Sequence, residues 1–130
     1  MNATPLEHEE QAAFTQWLEL QGLLFTATAQ STYTKSWSQK RRNNATGLRK
    51  GFPDMVVIIP RSKSKDGEGY FLCVELKRTT GGIVSKEQKV WHEEINSLGI
   101  NNTQAYICKG AGEAIKVVSH YLGEVDSSVF

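Results

Sequence analysis

The chain has only two cysteines and three histidines in 130 residues, and these shortages close off classes of function. Cys73 and Cys108 stand inside apolar runs, no CxxC occurs, and His8, His92 and His120 are scattered. That pattern excludes a zinc-finger spacing and a disulfide scaffold, and both thiols are expected free and buried. No apolar run reaches membrane-spanning length and no secretory leader pattern is read, so a soluble, cytoplasmic protein is expected. Acid is missing from one long stretch: between Leu20 and Pro53 there is none, while Lys35, Lys40, Arg41, Arg42, Arg49 and Lys50 fall inside it. The first nineteen residues invert this, with Glu7, Glu9, Glu10 and Glu19 and no Lys or Arg. The totals, 15 basic and 14 acidic, nearly cancel. The segregation still points to a local basic patch facing a polyanion, with these six bases as the candidate contacts.

What is present centres on residues 51–77: GFPDMVVIIP, a polar break, then YFLCVELK. Each apolar run carries an acid to one of its ends. Asp54 opens the first, and Glu75 and Lys77 close the second. Side chains at i and i+2 of a strand share a face, so Glu75 and Lys77 project together. If the two runs pair as antiparallel strands, Asp54 joins them, and two carboxylates and an ammonium surround one small volume. Such carboxylates suit a hard divalent cation, and a neighbouring Lys suits phosphate chemistry.

The length suits one domain over 1–130, with a core at about 6–122, a basic loop at 29–50 and a frayed tail at 123–130. Residues 6–21 read as a first helix, with Thr4 as N-cap ahead of Pro5 and an apolar face through Ala13, Phe14, Trp17 and Leu18. Glu10 lies on or beside that face, with Glu7 one turn earlier, and spacing leaves the choice between them open. Residues 23–28 read as a short edge strand. Residues 29–50 read as a loop in which Tyr33 and Trp37 stand among the bases. Met55–Ile59 is expected as a strand buried on both faces, and RSKSKDGEG as an exposed connection with an Asp-Gly turn. Tyr70–Lys77 follows as an antiparallel partner. Ser85 to Gln88 reads as a capping box that starts a helix ending at Gly99. Its apolar stripe is Val90, Trp91, Ile95 and Leu98. A strand at 102–108 and an amphipathic helix at 112–122 complete an α/β chain whose mixed sheet is flanked by helices.

Gly51-Phe52-Pro53-Asp54, then Glu75-Leu76-Lys77, then Gln88-Lys89-Val90-Trp91 resembles the VRR-NUC domain of the PD-(D/E)xK nuclease superfamily. The resemblance spans roughly Leu6 to His120 and implies a restriction-endonuclease-like fold. It assigns Asp54 and Glu75 as metal ligands, the main-chain carbonyl of Leu76 as a further one, and Lys77 as the catalytic lysine. Glu10 matches the family's first-helix acid, although Glu7 and Glu9 flank it, and Gln88 would reach toward the site. Trp91 is expected to anchor its helix in the core, and Phe52 stands where the family has smaller aliphatic residues. The implied cofactor is Mg²⁺, with Mn²⁺ as a substitute. The implied activity is a structure-selective DNA endonuclease, resembling Holliday-junction resolvases and acting on branched DNA as a homodimer. The alternatives are a flap- or single-strand-cleaving repair nuclease, a DNA-binding module that keeps the fold without catalysis, and an RNA-processing enzyme.

Overall fold

The computed structural model describes residues 4–28 and 37–123. Helix α1 (Glu7–Leu20) leads into strand β1 (Leu24–Ala27); helix α2 (Trp37–Ala45) precedes strands β2 (Met55–Ile59) and β3 (Tyr70–Lys77). Helix α3 (Lys86–Ser97), strand β4 (Thr103–Lys109) and helix α4 (Ala111–Ser119) follow. The sheet runs β1-β2-β3-β4. The first three strands pair antiparallel, with Met55 opposite Val74, whereas β3 and β4 pair parallel, with Lys77 opposite Lys109. A parallel neighbour needs a crossover, and α3 provides it.

The core lies on one side of the sheet. Phe14 and Leu18 of α1 and Ala114 and Val118 of α4 pack on Met55, Val57, Ile59, Leu72, Val74 and Leu76. Alternate residues of β3 point away, and these are Phe71, Cys73, Glu75 and Lys77. Met55, Val57 and Ile59 are buried while Val56 and Ile58 are half-buried. The expectation of β2 buried on both faces is therefore corrected to one buried and one half-buried face: α1 and α4 cover one face, and α3 lies toward β4. Cys73 and Cys108 are free and buried, as expected.

Two helices depart from the sequence reading. Within the expected loop at 29–50, α2 spans Trp37–Ala45. Gln39, Lys40, Arg41, Arg42 and Ala45 favour helix and no Gly or Pro interrupts it, but none of its residues is buried, so no apolar stripe betrays it. In α3 the expected stripe is wrong at Val90 and Leu98, which are exposed, whereas the buried residue is His92. Gln88 and His92, one turn apart, face inward, and Asn96, one turn further on, is exposed but reaches β4. Asn96 exchanges hydrogen bonds with the Ala105 backbone, donating to its carbonyl at 3.0 Å and accepting from its N–H at 2.8 Å. A helix lying against a polar strand end and a strand edge has backbone and carboxylate partners to satisfy, so its inner residues are polar.

At the ends of α1 and α3 the outcomes differ. Thr4 does not cap α1: Leu6 holds the N-cap position, and Glu9 accepts its N–H at 2.9 Å. The capping box of α3 forms as read, with Ser85 accepting from the Gln88 N–H and Gln88 Oε1 accepting from the Ser85 N–H.

Candidate active site and nucleic-acid face

Asp54 is delivered by a turn that fits only without a side chain at its start. Gly51 has φ +96°, and a Cβ there would lie 2.5 Å from the Glu87 carbonyl carbon at the start of α3. Trp91 locks this approach: its indole N–H donates to the Lys50 carbonyl at 2.9 Å, and Phe52 meets its ring edge-on at 5.1 Å. Trp91 is thus half-buried and holds the turn that carries Asp54, rather than sitting in the core. Phe52, the departure from the family's residues, is the other half of that contact. On the far side, the Pro53 carbonyl accepts from the Thr28 hydroxyl, and the Asp54 carbonyl accepts from the Thr28 N–H.

Asp54 and Glu75 come together beside the end of β3. Asp54 Oδ2 accepts the Leu76 N–H at 3.0 Å. N–H and C=O of one strand residue face the same side, so the Leu76 carbonyl is directed toward Asp54's side of β3 as well. Glu75 is buried; its Oε2 accepts from the Gln88 amide at 3.0 Å and lies 3.9 Å from Lys77 Nζ. Glu75 Oε1 is buried with no hydrogen-bond partner. Burial first, then the adjacent Asp54 carboxyl, pushes the Glu75 pKa up to about 9, and Lys77 only partly offsets this.

The two first-helix acids go to different places. Glu7 Oε1 lies 3.7 Å from Lys77 Nζ, so the ammonium sits between Glu7 and Glu75. Glu10 is buried, and its Oε1 accepts the Ala111 N–H at 3.1 Å, at the start of α4. Gly110 makes room for it, since a Cβ there would lie 2.9 Å from Glu10 Oε2.

His92 was not singled out from the sequence. It is buried, both ring nitrogens lack partners, and burial lowers its pKa while the charges of Asp54 and Lys77 act on it in opposite directions. Its one signal is position, one helical turn beyond Gln88 and on the same face.

Among the described residues no group of three or more His, Cys, Asp and Glu side chains stands ready to hold a metal ion. The Asp54–Glu75 pair, with Glu75 Oε1 buried and unpartnered, offers oxygen donors of the kind that suit a hard divalent ion.

The basic segment joins the site through Lys50, whose carbonyl Trp91 holds. Lys40, Arg41 and Arg42 lie on α2, with Lys40 Nζ 5.2 Å from the centre of the exposed Trp37 ring. Arg49 donates to Asn44, and Lys50 directly precedes the turn pinned by Trp91. Lys35 and Tyr33 lie outside the described residues.

The family model of the VRR-NUC domain matches residues 1–112. The chain belongs to the VRR-NUC domain family. A solved structure described as a "VRR_NUC domain protein" is 19% identical, covers 96% of each chain and superposes with a TM-score of 0.62. Another, described as "VRR_NUC domain", is 23% identical, with 88% of this chain and 96% of the other covered and a TM-score of 0.60. No curated protein matches. The VRR-NUC domain therefore has the restriction-endonuclease-like fold, a mixed four-stranded sheet flanked by helices, and is a nuclease-type, DNA-processing domain. Among its described residues no helix is long and apolar enough to cross a membrane.

Proposed function

We propose that this VRR-NUC domain, acting as one unit over 1–130, is a metal-dependent endonuclease that hydrolyses phosphodiester bonds in branched DNA. Mg²⁺ is its cofactor and Mn²⁺ a substitute. The observation that carries this reading is the Asp54–Glu75 pair, with one oxygen buried and unpartnered and Lys77 on the same strand face. Asp54, Glu75 and the Leu76 carbonyl would hold the ion, with a first-helix acid adding a carboxylate. Glu10 matches the family's position, whereas Glu7 is the acid beside Lys77. Bound there, the ion supplies Lewis acidity toward a phosphoryl oxygen and lowers the pKa of a coordinated water.

The chain's own groups do the rest. The Leu76 N–H orients Asp54, and Gln88 ties down Glu75 Oε2 so that Oε1 faces away from the amide. Lys77, held between Glu75 and Glu7, donates to the attacking water or offsets charge on the non-bridging oxygens. Lys35, Lys40, Arg41, Arg42, Arg49 and Lys50 grip the phosphate backbone leading into the site. Symmetric cutting of a four-way junction needs two such sites, and a homodimer provides them.

The test incubates labelled four-way junction, flap and plain duplex with Mg²⁺, Mn²⁺ or EDTA, beside Lys77→Ala. Paired, metal-dependent nicks in the junction, absent in the variant, are expected. Cleavage of flaps alone would change the substrate and remove the need for a dimer. Tight binding without any cleavage would leave only a DNA-binding module.

A further inference from the structure

A cleft of about 150 Å³ opens beside the site, between the ends of β3 and β4 and the turn that follows β3. Lys77, Arg78 and Lys109 line it, with Glu113 of α4 the one acid among the lining residues. Lys77 and Lys109 are direct partners in the parallel register, so their side chains share a face on adjacent strands about 4.8 Å apart. Lys109 therefore carries a cation one strand farther from Asp54 and Glu75 than Lys77 does. Unlike Lys77, it makes no ion pair within 4.0 Å among the described residues, and it is exposed. Arg78 adds the second observation. Its Nε is buried with no hydrogen-bond partner, while another guanidinium nitrogen is engaged by the Thr4 carbonyl at 3.3 Å.

The cleft's shape depends on Gly82. A Cβ there would lie 3.0 Å from Lys77 Cβ and 3.2 Å from the Arg78 backbone nitrogen, so a side chain would push the turn off the strand end. The cleft falls below the roughly 300 Å³ of ordinary small-molecule pockets, and three cations against one acid exclude a metal ion. What fits is a small anion that can accept from a guanidinium and an ammonium together.

We propose that this cleft is a phosphate subsite, which holds the nucleic-acid phosphate next to the one being cleaved. The subsite rests on the nuclease reading for its substrate, but its capacity for phosphate does not. Lys77 faces both sites, so a phosphate seated against Arg78 and Lys109 sets the register in which the scissile group meets Asp54 and Glu75. Lys109 is a positioning residue in this scheme.

Two measurements test it on the full chain. In the first, inorganic phosphate is titrated into isotope-labelled protein, and the backbone amides of Thr79, Gly81 and Gly82 are followed by NMR. Saturable shifts are expected in the wild type, strongly weakened in Lys109→Ala and restored in Lys109→Arg. In the second, DNA strands carrying a single neutral methylphosphonate on either side of the scissile phosphate are cleaved by wild type and Lys109→Ala. Neutralising the correct neighbour should lower the wild-type kcat/KM about ten-fold, with kcat falling as the register loosens, and the Lys109→Ala enzyme should be insensitive to it. Its salt slope for binding should fall by about one.

Substrates ending in a 5′-phosphate or a 5′-hydroxyl distinguish the sources of the anion: equal loss in Lys109→Ala assigns an internal phosphodiester, and loss confined to phosphate-ended strands assigns a terminal monoester. DNA cleavage without phosphate-induced shifts and with an undiminished methylphosphonate effect in Lys109→Ala would overturn the subsite and keep the nuclease. Saturable shifts without cleavage of any DNA would keep the subsite and remove the nuclease.

Discussion

Replacing Glu75 by Gln should stabilise the metal-free protein, and the gain should grow with pH. Burial and the neighbouring Asp54 carboxyl raise the Glu75 pKa from 4.5 to about 9. A carboxyl raised on folding contributes fully below its unfolded pKa, and that contribution is lost as pH rises through the folded value. For Glu75 the losing window runs from about pH 4.5 to about pH 9. At about 1.4 kcal/mol per pH unit, keeping this group protonated to neutral pH costs the folded state about 3 kcal/mol relative to pH 4.5. Gln has the same shape and never ionises, so the variant escapes this cost. Loss of the 3.9 Å approach to Lys77 works the other way and makes the figure a ceiling. At about 4 °C per kcal/mol for a domain of this size, the Tm difference in EDTA should reach about 10 °C at neutral pH and vanish near pH 4.5. Millimolar Mg²⁺ should narrow the gap by stabilising the wild type alone. A Tm difference that stays flat from pH 5 to pH 8 in EDTA would refute the reasoning, because it would mean that Glu75 ionises normally in the folded chain.

The remaining expectations are separable. Glu10→Ala should cost about 1–2 kcal/mol in urea unfolding, since it removes the acceptor at the α4 N-terminus, whereas Glu7→Gln should leave stability nearly unchanged and alter cleavage; a reversed pattern would exchange the two roles. Trp91→Phe keeps a ring against Phe52 and loses the bond to the Lys50 carbonyl, so it should cost about 1 kcal/mol and lower cleavage through a looser Asp54 turn. Unchanged kcat would detach that turn from catalysis. Arg41→Ala with Arg42→Ala should weaken DNA binding and lower its salt slope by about two, and an unchanged slope measured by fluorescence anisotropy would remove α2 from the interface.

Much of the fold is legible in the sequence. Strand residues obey local alternation and strands end at turn residues, so the places of Glu75 and Lys77 on one face and of Asp54 at the start of β2 could be read from order and spacing. The capping box of α3 was legible for the same reason, because its partners are three residues apart. Helix α2 was not, since it buries nothing and a periodicity test finds only buried faces. Nor was the polar seam of α3: periodicity marked Val90 and Leu98, but the strand end and edge beneath the helix select for hydrogen-bonding side chains, and that surface comes from β3 and β4.

Sequence alone determined the candidates for the chemistry: the Asp54, Glu75 and Lys77 trio, its strand ends and the acid-free basic segment. Tertiary structure decided which neighbours those residues have. It set Glu7 beside Lys77 and Glu10 at α4, gave Trp91 the Asp54 turn, buried His92 and brought Lys109 alongside Lys77. Side-chain direction along one strand or helix is set by backbone geometry over a few residues. Contacts such as Glu10 with Ala111, 101 residues apart, exist only once the whole sheet has chosen its order and register.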